Sequence, residues 1–320
     1  MFSAAHIKNF RCLRDVELTL SPLTVLLGPN ASGKSSVLHA LHPGRKFTQE
    51  DVWHHHNNAL IQLRLVYDHR MVGERFYDPR RGVYDSSANP WVPYSFQWLR
   101  LDVDELRRPN QLAPATQLST TGNNLANVFG TLTRNQQFQL SKQFCELVPV
   151  FSDVDVKPTP QSSSSTGGYH ELVFQDRWKQ EVWYRANEVS DGAILLLAFL
   201  VLEYQKPPVD LLAIEEPEHG LHPYLFERVI NLLRDMTTGK LNGKPTQTIL
   251  ATHSAELLDY VRPEEVRFFS RSPLDGSVRI EEPPLESPEW ERAFEEYRRS
   301  LGAMWLAGVA IPPTPVPPRT

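Results

Sequence analysis

Gly28-Pro29-Asn30-Ala31-Ser32-Gly33-Lys34-Ser35 satisfies GxxxxGK[S/T], with the apolar run 23–27 before it and a helical pattern, 34–41, after it. That context gives the string its meaning. Glycines let backbone N–H groups curl around phosphates, and a helix N-terminus adds partial positive charge. Lys34 is then expected to reach the β- and γ-phosphates, and the Ser35 hydroxyl to ligate Mg²⁺. Ser36 completes the loop. The stretch predicts a strand, a phosphate loop and a helix, and therefore a nucleotide site.

Working outward, residues 6–10 and 16–20 read as a β-hairpin, and Ile61, Leu63 and Leu65 alternate as a half-buried strand. Residues 95–101 give another strand. Leu125, Val128, Phe129 and Leu132 fall at helical spacing, and a second helix through Phe138 and Phe144 stops before Pro149. Residues 193–204 are apolar and helical, 211–214 and 248–251 are core strands, and an amphipathic helix follows Pro223. Residues 161–168 (QSSSSTGG) form a low-complexity loop, and 311–320 hold five prolines and read as an extended tail. Strands alternating with helices imply an α/β fold with a largely parallel central sheet.

Composition excludes more than it identifies. In 320 residues the apolar fraction is 41% and the charged fraction 22%, ordinary for a globular protein. The longest apolar run, 193–202, is about half of a bilayer span, and the first residues lack the pattern of a signal peptide. Two cysteines, Cys12 and Cys145, exclude a disulfide framework, and a reduced cytoplasm is the expected home. The net charge of −5 does not advertise nucleic-acid binding.

Three further segments carry chemistry. Glu215 and Glu216 close the apolar strand 211–214, the first placed to hold Mg²⁺ and the second to orient or deprotonate an attacking water. A surface acidic turn is the plainer alternative. Thr252-His253-Ser254 ends the strand 248–251, where His253 can donate a hydrogen bond to a γ-phosphate or serve structure alone. Ser190-Asp191-Gly192 opens the helix before 193–204, as an anion-binding surface or as simple N-capping. His54-His55-His56 invites a metal reading that consecutive side chains serve poorly. Arg11 is a candidate nucleotide contact, and the pairs Arg80-Arg81 and Arg107-Arg108 are candidate contacts for DNA phosphates.

The order of these motifs resembles the ABC-type AAA ATPases of the RecF/OLD/SMC branch. Ile7-Lys8-Asn9-Phe10-Arg11 looks like that branch's first strand, and residues 215–223 (EEPEHGLHP) are similar to its EEPExxLHP turn. Val189-Ser190-Asp191-Gly192 stands where the branch carries its signature motif. Leu106-Arg107-Arg108-Pro109, Gly122-Asn123-Asn124-Leu125 and residues 300–306 (SLGAMWL) look like segments of its compact members.

The resemblance implies a P-loop NTPase of ABC-ATPase type, with a mixed sheet, an antiparallel β subdomain and a helical lobe. It implies a single domain over 1–310. Within it, 1–100 and 205–285 form the nucleotide-binding lobe, 101–204 the helical signature lobe with inserted strands, and 286–310 a C-terminal helix. It further implies ATP and Mg²⁺ as cofactors and hydrolysis of ATP by a head-to-tail homodimer. In the signature Ser190-Asp191-Gly192, Ser190 and Gly192 of one subunit would meet the γ-phosphate held by Lys34 of the other, with Glu216 and His253 catalytic. Such a dimer would gate DNA or a separate effector or nuclease protein, in DNA repair or antiviral defence against phage. The rival expectations are a nucleotide-switched interaction module with negligible hydrolysis, and a direct DNA clamp. SDG in place of the transporter-type SGGQ argues against a transporter subunit. Neither a Toprim nuclease after Trp305 nor a long coiled coil is expected. A Q-loop glutamine could be Gln49 or Gln97.

Overall fold

The computed structural model describes residues 1–310 apart from 56–58, 68–69, 79–80, 92, 160–167 and 242. The expected low-complexity loop, except Gly168, and the proline-rich segment 311–320 therefore lie outside the described residues. The chain divides into two compact units, Met1–Phe96 with Ile249–Thr320, and Gln97–Thr248.

The chain starts with β1 (Phe2–Phe10), β2 (Leu13–Thr19), β3 (Leu23–Leu27), α1 (Lys34–Leu41), β4 (Ile61–Tyr67), β5 (Arg70–Asp78) and β6 (Gly82–Asp85). Next come β7 (Phe96–Leu99), α2 (Val103–Leu106), β8 (Asn110–Gln111), α3 (Leu125–Thr131) and α4 (Arg134–Leu147). They lead to β9 (Phe151–Pro158), β10 (Tyr169–Asp176), β11 (Trp183–Arg185), α5 (Asp191–Val201), β12 (Leu211–Glu215) and α6 (Phe226–Thr238). The last elements are β13 (Gln247–Thr252), β14 (Val266–Arg271), β15 (Val278–Glu281), α7 (Pro288–Glu296) and α8 (Leu301–Leu306).

In the first unit an antiparallel sheet runs in the order β2-β1-β4-β5-β6. The expected hairpin is β1–β2, with Ile7 opposite Val16, and β4 places Leu63 opposite Ile7 on the other side. Period-two patterning sets the faces of the later half of β2, where Val16 and Leu18 are buried while Asp15 and Glu17 face solvent. The other sheet of this unit carries the phosphate loop. There β14 pairs parallel to β3 and antiparallel to β15, and β13 lies beside β3. All five residues of β3 are buried, as expected of a strand covered on both faces. Sequence reading passed over β5, β6, β14 and β15. Residues 286–310 form two helices rather than one, because Arg298 and Arg299 take φ of 54° and 61° and Ser300 caps a new start on the Ala303 N–H.

In the second unit, β9 and β11 flank β10 antiparallel, and β12 lies beside β7. Helix α5 is apolar all round, and Ala193 to Val201 are all buried, so it is the core of this unit. Helix α6 is amphipathic, with Val229, Ile230, Leu233 and Met236 inward. The α/β class with a mixed sheet and an antiparallel subdomain expected from the sequence is the one observed.

Candidate functional site

Strand β3 delivers the chain into the phosphate loop, and two glycines there are required by the fold. A Cβ on Gly28 would lie 2.5 Å from the Phe269 carbonyl oxygen, and Gly33 has φ of 108° with space closed by Val278 Cγ2 at 2.5 Å. Ala31 also takes a left-handed φ of 61°. These dihedrals bend the segment Pro29–Gly33 tightly over the start of α1. The Lys34 ammonium donates to the carbonyls of Gly28 (2.6 Å) and Pro29 (3.0 Å), so the loop holds its own cation. Ser35 is exposed at the first turn, and the Cys12 thiol donates to Ser36 Oγ at 3.4 Å.

Strand β13, the neighbour of β3, ends at Thr252, and the exposed His253 follows. The Ser254 N–H donates to Thr252 Oγ1 (2.9 Å), which fixes the turn at His253.

Arg11 has a φ of 50°, and its Nε donates to Asp51 Oδ1 at 2.9 Å; Arg45 donates to the same oxygen at 2.7 Å. Burial alone would raise the Asp51 pKa. Hydrogen bonds from Arg11, Arg45 and the Thr48 backbone, with the Arg45 charge, together outweigh it and hold the carboxyl below its usual range. Arg11 also borders a cavity of about 230 Å³ with Cys12, Trp53 and Arg271.

In the second unit, Glu215 is the last residue of β12 and only 7% exposed. Its Oε1 is buried without a hydrogen-bond partner among the described residues. Its Oε2 lies 3.9 Å from Nε of Arg100, a side chain 69% exposed and so weakly compensating. Glu216 follows at φ of 49°, a left-handed conformation costly for a residue with a side chain and typical of functional turns. The turn closes through His219 N–H to Glu216 O (3.0 Å).

Glu215 and Glu216 share a cavity of about 390 Å³ with Arg100, Arg107, Asp191 and His219. The acidic strand end and the start of α5, separate in sequence, thus meet around one space. Ser190 is exposed at the N-cap of α5, and its hydroxyl makes no capping bond. Simple capping by Ser190 therefore does not explain it.

Mg²⁺ suits the chemistry at the end of β12, where the Glu215 carboxylate offers hard oxygens and one of them is buried without a partner among the described residues. Among the described residues no group of three or more His, Cys, Asp or Glu could hold a metal ion. Mg²⁺ in nucleotide sites usually rests on one or two carboxylates plus the phosphates themselves.

Two expectations change. Arg107 is not a free surface arginine for DNA: its side chain is 19% exposed and bonded inward, whereas Arg108 is 64% exposed and pairs with Glu105 at 2.8 Å. Gln97 is buried, its amide donating to Leu118 O (2.9 Å) and Gln205 Oε1 (2.8 Å), a structural role. Arg100 and Asp51 were missed by sequence reading, and no local pattern marks either.

Comparison with known proteins identifies the family. A family model described as "AAA domain, putative AbiEii toxin, Type IV TA system" matches residues 73–259, and an "AAA domain" model matches residues 5–42. An OLD nuclease of Thermus scotoductus (strain ATCC 700910 / SA-01) is 43% identical over 53 residues; the match covers 17% of this chain and 9% of the relative. Among solved structures, an Smc head bound to the C-winged helix domain of ScpA aligns at TM-score 0.61 and 15% identity, over 88% of this chain and 96% of that one. The SMC head domain from Thermotoga maritima aligns at TM-score 0.53 and 15% identity, over 88% and 98%. The chain belongs to the first of these AAA families, and it shares its P-loop NTPase fold with the SMC heads. Among the described residues, no helix is long and apolar enough to cross a membrane.

Proposed function

We propose that the protein hydrolyses ATP with Mg²⁺ as a single ABC-type ATPase domain that closes as a head-to-tail homodimer. The loop 28–36 binds the phosphates, with Lys34 on the β- and γ-phosphates. Ser35 and Glu215 hold Mg²⁺, which supplies charge neutralisation at the phosphates. Glu216 accepts a proton from the attacking water, and His253 donates a hydrogen bond to the γ-phosphate. Arg11, paired with Asp51, is assigned a nucleotide contact. The signature turn Ser190-Asp191-Gly192 of a second copy completes the site, with Ser190 and Gly192 facing the phosphate. The observation that carries this reading is the end of β12, where a buried carboxylate with a bare oxygen precedes a glutamate in a left-handed turn.

The closed dimer is assigned the task of controlling DNA or a separate effector or nuclease, in DNA repair or antiviral defence inside the cytoplasm. Steady-state phosphate release tests the chemistry. The native protein should turn over, Glu216→Gln should bind ATP and turn over very slowly, and Lys34→Ala should not bind. Phosphate release at background in the native protein, with ATP bound, would instead support a nucleotide-switched module.

A further inference from the structure

Arg107 caps the C-terminal end of α2, and its guanidinium is committed to one short segment. Nε donates to Ala186 O at 3.1 Å, and one terminal nitrogen donates to Val189 O at 2.6 Å and to Asp191 Oδ1 at 2.7 Å. All three acceptors lie on the approach to α5 or in its first turn. Two carbonyls and one carboxylate in a single fork both shape the turn and cancel a charge.

The charge is the point of interest. Asp191 is 60% exposed in the first turn of α5, where a carboxylate favours the helix dipole and repels any incoming anion. Its neighbours are arranged otherwise. Ser190 leaves its hydroxyl exposed and uncapped. Gly192 has no internal need to be glycine: an added Cβ would meet only Gly220 O at 3.4 Å and His222 N at 3.7 Å, ordinary contacts, and its φ is not positive. Beside them, the bare oxygen of Glu215 belongs to the same cavity as Asp191 and Arg107.

We propose that Arg107 is the positioning residue that makes this turn receptive to the terminal phosphate of a nucleotide carried by a second copy of the chain. It draws the Asp191 carboxylate aside and neutralises it, so that the Ser190 hydroxyl and the Gly192 backbone are what the anion meets. The inference rests on the sandwich reading above. For charges several ångströms apart near a protein surface, an uncompensated carboxylate weakens anion binding by about tenfold per site. Twofold symmetry gives two such sites, hence about a hundredfold in the dimer dissociation constant.

The test is sedimentation velocity with Mg-ATP in the Glu216→Gln background, with ATP affinity of the monomer followed separately by a fluorescent analogue. Adding Arg107→Gln keeps a donor for the carbonyls but removes the charge; it should weaken the dimer by about a hundredfold and leave monomer affinity unchanged. Arg107→Lys, which keeps the charge, should stay within a few-fold of the parent. Adding Asp191→Asn to Arg107→Gln should restore the dimer. If Arg107 served only to clamp carbonyls, Arg107→Lys would fail like Arg107→Gln and Asp191→Asn would rescue nothing; either result overturns the proposal. A Glu216→Gln parent that stays monomeric with Mg-ATP overturns the sandwich reading and this inference with it. A parent that dimerises without rescue by Asp191→Asn overturns the role of Arg107 alone.

Discussion

Replacing Glu215 by Gln should stabilise the nucleotide-free protein while removing its response to Mg²⁺. The wild-type carboxylate is 7% exposed with Oε1 unpartnered, and an unsatisfied buried group of this kind costs about 1–3 kcal/mol or more. Arg100, at 3.9 Å and mostly solvated, returns at most about 1 kcal/mol. Glutamine leaves a polar atom unpaired but removes the buried charge, whose desolvation is the larger cost, so a net gain of about 1–2 kcal/mol is expected. For a chain of this size each kcal/mol moves the Tm by roughly 2–4 °C, which places the shift at about 2–8 °C upward. The assay is thermal unfolding in three conditions: no nucleotide, ATP with EDTA, and ATP with excess Mg²⁺. In the native protein Mg²⁺ should raise the Tm beyond ATP alone, through ligand-linked stabilisation. In Glu215→Gln that increment should vanish. A variant less stable than the native protein would mean that Glu215 has a structural partner, and an undiminished Mg²⁺ increment would remove it from the metal site.

Gly33→Ala should cost about 2–5 kcal/mol in urea unfolding, from a side chain at φ of 108° and the Val278 contact at 2.5 Å. Combined with Val278→Ala it should cost about 1–2 kcal/mol less than the sum of the two single changes; strict additivity would contradict the contact. His39 of α1 has its pKa lowered to about 4, by burial first and then by repulsion from Arg11 and Arg45. The unfolded chain, with an ordinary histidine near 6.5, binds the proton more readily, so this contribution is complete above pH 6.5 and is lost as pH falls toward 4. The loss is at most about 3 kcal/mol. His39→Gln, which keeps an acceptor for the Arg45 bond at 3.1 Å, should flatten urea stability over that window, and an unchanged pH slope would refute the assignment.

The elements legible in the sequence were those where local chemistry and packing agree. Residues 23–41 could be read because an all-apolar strand, an obligatory glycine turn and a helix follow one another, and 190–204 because an apolar run that long must be buried. Strands β5 and β6 escaped because their neighbours in the sheet, not their own alternation, define them. The same limit applied to chemistry. Glu215 and Glu216 are contiguous and announce themselves, whereas Arg100, Arg107 and Asp191 meet around one cavity only once the fold brings together Arg107 and Asp191, 84 positions apart in sequence. An arginine on a sequence line looks solvent-bound; only its three acceptors show that it faces inward.

The most direct test of the central claim is the solution mass of Glu216→Gln by light scattering, with and without Mg-ATP. ATP-driven doubling of the 36.6 kDa chain, abolished by adding Ser190→Arg, is the expected result. A mass that ignores ATP, or a doubling that Ser190→Arg leaves intact, would contradict the sandwich built on Lys34 and the Ser190–Gly192 turn.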